Sequence, residues 1–365
     1  MWALVCFNLL LLTGLLGLVE VSVDFFMSTP VLIPSEILLN AARTIYWKER
    51  DKDLIQFSRD CAQYHEQLAY TLRPGTCHFA GPEFSNTYHV NSLGLRDDEN
   101  SLHAPEVIVI GDSQAMGWGV EQQETFAQIL EARTGLTVLN AAVSSYGTAR
   151  EISSLKRLDT GRLRFLVIQY SNNDSVENKV FYLKKNRLDI MARSDYESIV
   201  NAQETMVPHI FGRNLKHISR LGMELAEGEI DWLTSAVSRR LGISRATDFV
   251  AQPVNSIAQL NSAELFLNVL MHSGVNLSGI EIIVFEISTY GRNSRFLSLL
   301  QKSLLSKDRG SESLTIKVID VAKLLGPQHY YRLDGHLNAQ GHRVMADAII
   351  KQMGMLPKPG GEQTH

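Results

Sequence analysis

From Pro105 onward the chain alternates short β-branched apolar runs with longer stretches whose apolar positions recur at helical spacing. Residues 106–110, 137–140, 165–170, 280–287 and 314–319 read as strands, and 125–133, 149–158, 295–305 and 339–353 as helices. Strands that alternate with helices imply right-handed crossovers and a parallel sheet. The fold class expected is therefore α/β, in three layers.

Three regions lie outside this rhythm. Residues 35–70 look helical, with Ile37, Leu38, Ala41 and Ile45, then Leu54, Phe57, Cys61, Tyr64 and Leu68, at roughly helical spacing. Residues 73–103 are rich in Pro, Gly, Asn, Ser and aromatics and read as loops and short strands. Residues 175–255 form a mixed-charge, largely helical insertion, with Ile218, Leu221, Leu225, Trp232, Val237 and Leu241 as its apolar positions. An insertion after the third strand sits at the carboxyl edge of the sheet, where ligands bind in such folds. A lid and a solvated decoration are both open to it. The organisation expected is a membrane segment over 1–23, a helical and loop region over 24–104, the α/β domain over 105–356, and a tail over 357–365.

Trp2 to Val19 carries no charge and is dominated by Leu. Eighteen residues at about 1.5 Å each span roughly 27 Å, enough for a thin bilayer core. A cleaved signal peptide is the competing reading, but no small-residue cleavage pattern precedes Asp24. A buried core helix would show a polar face, and none is present. Orientation is weakly coded, since the first basic residue is Arg43. Cys6 lies inside the apolar segment. Cys61 and Cys77 flank the turn pair Pro74-Gly75, and either a disulfide or two buried thiols fits that placement. Together with the apolar segment, the pair favours a disulfide and an extracytoplasmic, single-pass membrane protein, with the bacterial periplasm as the expected compartment.

Composition narrows the function classes. The 365 residues are 45% hydrophobic and 20% charged, which is ordinary for a folded protein and excludes a mainly disordered chain. A net charge of -4 without a long basic run argues against nucleic acid as a partner. Three cysteines and no CxxC pair give neither a disulfide scaffold nor a zinc site. His329, His336 and His342 match no zinc spacing, and His342 reads as a helix-surface residue. No metal and no cofactor is expected.

The strand over 106–110 runs directly into Gly111-Asp112-Ser113, so Ser113 falls at the carboxyl end of the first sheet strand. A serine hydroxyl is a poor nucleophile without a base to take its proton. Tyr331-Arg332-Leu333-Asp334-Gly335-His336 follows the last strand and supplies one. Asp334 stands two residues before His336 and could orient the ring. Acyl transfer also needs donors for a developing oxyanion. Asn140-Ala141-Ala142-Val143-Ser144-Ser145-Tyr146-Gly147 follows the second strand, and Ser171-Asn172-Asn173-Asp174 the third. Ser113 could instead be a helix N-cap, and Asp112 reads as structural. Asn173-Asp174-Ser175 and Asn276-Leu277-Ser278 are formal glycosylation sequons, but a glycan on Asn173 would block the donor. The α/β-hydrolase, P-loop and H-E-x-x-H signatures are absent.

These four pieces at four strand ends resemble the SGNH (GDSL-type) hydrolase family over about residues 105–353, the insertion excepted. Its Ser, Gly, Asn and His correspond to Ser113, Gly147, Asn173 and His336. Asn91-Ser92-Leu93-Gly94-Leu95-Arg96-Asp97 also resembles the lead-in of some membrane-anchored members. The resemblance implies a flavodoxin-like sheet with Ser113 as nucleophile, His336 as base and Asp334 as orienting acid. The Ser113 and Gly147 N–H groups and the Asn173 amide would form the oxyanion hole. Two features depart from the family: Asp-x-His replaces the commoner Asp-x-x-His, as in some polysaccharide acetyltransferase-like relatives, and Ser171 stands where a Gly is usual. The activity expected is hydrolysis of carboxylic esters, the substrate being a free ester or an acylated glycan or lipid. An O-acyltransferase acting on an envelope polysaccharide, or an inactive binding protein on the same fold, are the other two classes.

Overall fold

The computed structural model describes residues 2–50, 54–205, 215–216, 260–291, 294–305 and 314–355. Contacts divide the chain into two units, 1–50 with 206–259, and 51–205 with 260–365. In the first, helix α1 (Trp2–Ser28) continues past Glu20 and Asp24 and is followed, after a short turn, by α2 (Glu36–Arg50). Leu4–Ser28 is long and apolar enough to cross a membrane. The Glu20 carboxylate is buried and accepts the Leu215 N–H.

The second unit holds five parallel strands: β5 (Val107–Ile110), β6 (Val138–Asn140), β7 (Phe165–Tyr170), β8 (Glu281–Glu286) and β9 (Thr315–Ile319). Their order is β6-β5-β7-β8-β9, which in order of appearance is the 2-1-3-4-5 of flavodoxin-like sheets. Helices cover both faces. Val107, Val109, Val167 and Phe285 point toward α4 (Phe126–Thr134) and the last helix, α10 (Ala339–Gln352). Ile108, Ile110, Ile168 and Val284 point toward α5 (Thr148–Ser154), α8 (Ser262–His272) and α9 (Phe296–Leu305). Burial on both faces is why these strands are uninterrupted apolar runs rather than alternating ones.

Before the sheet come two antiparallel hairpins, β1 (Ala62–His65) with β2 (Ala69–Leu72), and β3 (Gly75–Gly81) with β4 (Phe84–Val90). The helix expected through residues 54–70 is therefore a single 3-10 turn, Ile55–Phe57, and a hairpin. The apolar spacing there comes from two short elements in succession. What decides the conformation is packing: Tyr64 pairs with Tyr70 across the hairpin, and both rings lie against Tyr196. Cys61 and Cys77 are joined by a disulfide across a Cα–Cα distance of 5.3 Å.

The described part of the insertion consists of α6 (Asp174–Leu183) and α7 (Arg193–Glu204). Helix α7 docks on the first hairpin, with Tyr196 donating to the Gln56 carbonyl and Arg59 donating to Glu204. Ile218, Leu221, Leu225, Trp232, Val237 and Leu241 lie outside the described residues.

Candidate active site

Strand β5 is followed directly by Gly111, whose φ of +156° is one reason for a glycine here. A Cβ at this position would lie 2.6 Å from the Gln169 amide oxygen and 2.7 Å from Ala115. Gln169 accepts the Asp112 N–H at 3.0 Å. Asp112, and not Ser113, is the N-cap of the one-turn helix α3 (Ser113–Met116), its carboxylate accepting the Gln114 N–H at 2.9 Å. The Ser113 hydroxyl is left available, and it lies 2.7 Å from His336 Nε2.

The last strand leads to the loop that carries His336. Gly335, with φ +75°, reverses the chain, and a Cβ there would meet Thr289 and Tyr290 at 2.6 Å. The reversal brings the Asp334 carboxylate back onto His336, where one oxygen contacts both ring Nδ1 and the backbone N–H. The left-handed Gly335 between them is what lets the Asp334 carboxylate reach the His336 ring at this short spacing. Asp334 and His336 are both buried.

Gly147 and Asn173 stand at the ends of β6 and β7, the strands on either side of β5. Gly147 caps α5 and is packed against Glu177, which a Cβ would approach to 2.9 Å. Asn173 opens α6 with helical backbone angles. Its side chain is exposed and makes no hydrogen bond among the described residues. Ser171, in the usual glycine place, is buried: its hydroxyl donates to the Ile287 carbonyl and accepts from Gln169. Thus Ser113, His336 and Asp334 are in hydrogen-bond contact, and Gly147 and Asn173 flank them along one sheet edge.

Several residues that sequence reasoning passed over hold this arrangement. Glu83, in the turn of the second hairpin, accepts the consecutive N–H groups of Arg332, Leu333 and Asp334 at 2.8 to 2.9 Å. Trp118 is buried and stacks on the His336 ring at 5.4 Å. Gln114 accepts the Leu337 N–H, joining α3 to the loop that carries His336. Arg96, in the 91–97 motif, is buried and donates to the carbonyls of Met116, Gly117 and Val120, with its guanidinium 3.9 Å from the Tyr88 ring centre. Burial lowers the Arg96 pKa to about 10. Its neighbour Asp97 accepts from Asn140 N–H, Gln128 and Asp98 N–H. His342, expected on a helix surface, is instead buried in α10, stacked on Phe126 and accepting its N–H. The helix packs its first turn against α4, so this position faces the core.

No family model matches the sequence, and no curated protein matches it. Solved structures it is similar to include a G-D-S-L family lipolytic protein from Desulfitobacterium hafniense DCB-2, at 10% identity and TM-score 0.32, covering 67% of this chain and 97% of that one. The lipase Lip_vut3 from a goat rumen metagenome matches at 12% identity and TM-score 0.32, covering 67% and 96%. A variant of Axe2, an acetyl-xylooligosaccharide esterase from Geobacillus Stearmophilus, matches at 12% and TM-score 0.29, covering 69% and 95%.

Proposed function

We propose that this chain is a membrane-tethered, extracytoplasmic serine esterase of the SGNH type, acting on carboxylic esters through an acyl-enzyme. The observation that carries the reading is the 2.7 Å contact between Ser113 Oγ and His336 Nε2, with Asp334 on the other ring nitrogen. Ser113 Oγ attacks the ester carbonyl while its proton passes to His336, and Asp334 holds the ring and stabilises the imidazolium. The Ser113 and Gly147 N–H groups and the exposed Asn173 amide receive the oxyanion. Collapse breaks the bond to the alcohol, which leaves with the proton from His336. Water, deprotonated by the same ring, then releases the acid. The disulfide and the apolar α1 support a tether with the hydrolytic unit outside the cytoplasm.

A second reading, transfer of the acyl group to a glycan hydroxyl, is favoured by the short Asp334-x-His336 spacing together with the apolar α1.

The test is hydrolysis of p-nitrophenyl acetate by the full chain in detergent. We expect Ser113→Ala to abolish turnover and Asn173→Ala to lower kcat about 100- to 1000-fold, as removal of one oxyanion donor does elsewhere. Retention of most activity by either variant removes that residue from the scheme. Added polysaccharide that diverts acyl groups from water would make the chain a transferase.

A further inference from the structure

Behind the Gly147 and Asn173 loops lies a group of carboxyls that the hydrolytic scheme does not use. Glu151 on α5 and Asp174 on α6 are 1% and 0% exposed, and Asp112 and Glu177 adjoin them. The cation of the group is Arg150, which Glu177 engages at 2.8 Å; Glu177 also accepts the Arg150 N–H. Asp112 is occupied as the cap of α3 and lies within electrostatic range of His336. Helix α8 also packs against α5 and α6, and its titratable groups, Glu264 and His272, are exposed. Asp174 Oδ2 accepts the Thr148 hydroxyl at 2.9 Å. Asp174 Oδ1 and both Glu151 oxygens have no hydrogen-bond partner among the described residues.

A carboxylate stripped of water on both oxygens, with other carboxylates beside it, takes up a proton instead of staying charged. Glu151 has no donor on either oxygen, and Asp174 is the carboxyl that acts on it most strongly. A protonated carboxyl is itself a donor, and Asp174 Oδ1 is an acceptor without a partner. We infer that Glu151 holds a proton and donates it to Asp174, and that this bond locks the Gly147 loop to the Asn173 turn. The inference rests on the esterase reading for its consequence. Thr148 follows Gly147 and Asp174 follows Asn173, so the two oxyanion loops are joined through their next residues. Two further rungs run alongside: the Ala149 N–H to Asn178 Oδ1 at 3.0 Å, and Arg150 to Glu177. Burial pushes both the Glu151 and Asp174 carboxyls well above the usual range. Glu151 and Asp174 are thus positioning residues: they hold the donors in place without touching the reacting atoms.

The experiment uses the full chain in detergent, with urea midpoints and p-nitrophenyl acetate kinetics measured from pH 5 to 9. A carboxyl that keeps its proton in the folded state makes stability fall as pH rises above the ordinary carboxylate range. Glu151→Gln can donate the same hydrogen bond without titrating. It should flatten that fall, keep kcat within about threefold of wild type at neutral pH and lose part of the alkaline decline in kcat. Glu151→Ala should lower kcat about tenfold or more with KM little changed, since the oxyanion donors act in the transition state. Glu151→Gln falling with pH as steeply as wild type overturns the shared proton. Folded Glu151→Ala with wild-type kcat overturns the link to the oxyanion loops. If wild type turns over no ester, the esterase reading fails, and the stability slopes still decide the proton.

Discussion

His342 and Asp97 are buried ionisable groups whose environments push them in opposite directions. Burial beside Arg96 and His336 lowers His342 to about 3, so it is neutral in the folded protein and accepts the Phe126 N–H. The unfolded chain binds a proton there below about pH 6.5, so this residue's contribution to stability is lost as pH falls from 6.5 toward 3, at roughly 1.4 kcal/mol per unit. Asp97 is pushed up to about 7, chiefly by burial, against the pull of three donors. Its folded state holds a proton that the unfolded chain gives up near pH 4, so stability from Asp97 falls as pH rises from about 4 to 7. The two slopes oppose each other between pH 4 and 6.5. Relative to wild type, His342→Asn should therefore lose stability with rising pH and Asp97→Asn should gain it. Urea midpoints across that range read both, and parallel profiles for the three proteins contradict the assignment. At Gly111, any side chain must displace Gln169 or Ala115. Gly111→Ala should lower kcat more than it raises KM, because it moves the turn that aims Ser113.

The elements around Ser113 and His336 were legible in the sequence because each combines two local signals, a buried apolar strand and a turn residue directly after it. Asp334 was legible through its neighbour in the chain. The supports were not. Glu83 reaches its three N–H partners across 249 to 251 residues, and no local pattern announces such a contact. Trp118 carries no local signal that sets it apart from other core aromatics, because its place on the His336 ring is made by tertiary packing. The first hairpin was read as helix because spacing alone cannot tell two short packed elements from one long one. Its disulfide makes an element-scale prediction. Closing a loop of 16 residues restricts the unfolded chain by about 3 kcal/mol. Cys61→Ser with Cys77→Ser should lower unfolding stability by about that amount, read from denaturant midpoints, and reductant should lower wild type alone.

For the whole molecule, the three-layer α/β class followed from the alternation of elements, whereas the flavodoxin-like sheet was implied only by the resemblance that Ser113, Gly147, Asn173 and His336 carry. The apolar α1 poses a different demand. Leu4, Phe7, Leu10 and Leu12 are exposed along it, more apolar surface than a helix leaves in water. We expect the full chain to leave membranes only with detergent, and removal of Trp2–Ser28 to release it into the aqueous fraction with esterase activity intact. A released protein that still pelleted with membranes would point to a second attachment.

The separation of Ser113 from His336, 223 residues along the chain, has a consequence in time. At about 5 to 20 residues per second of synthesis, Ser113 is made roughly 10 to 45 s before His336. During that interval the Ser113 hydroxyl lacks the imidazole that it lies against in the folded chain. The loop that carries His336 is received by Glu83, which precedes its partners by 249 to 251 residues. The contact between Ser113 and His336 can therefore form only after the loop that precedes the last helix has been made.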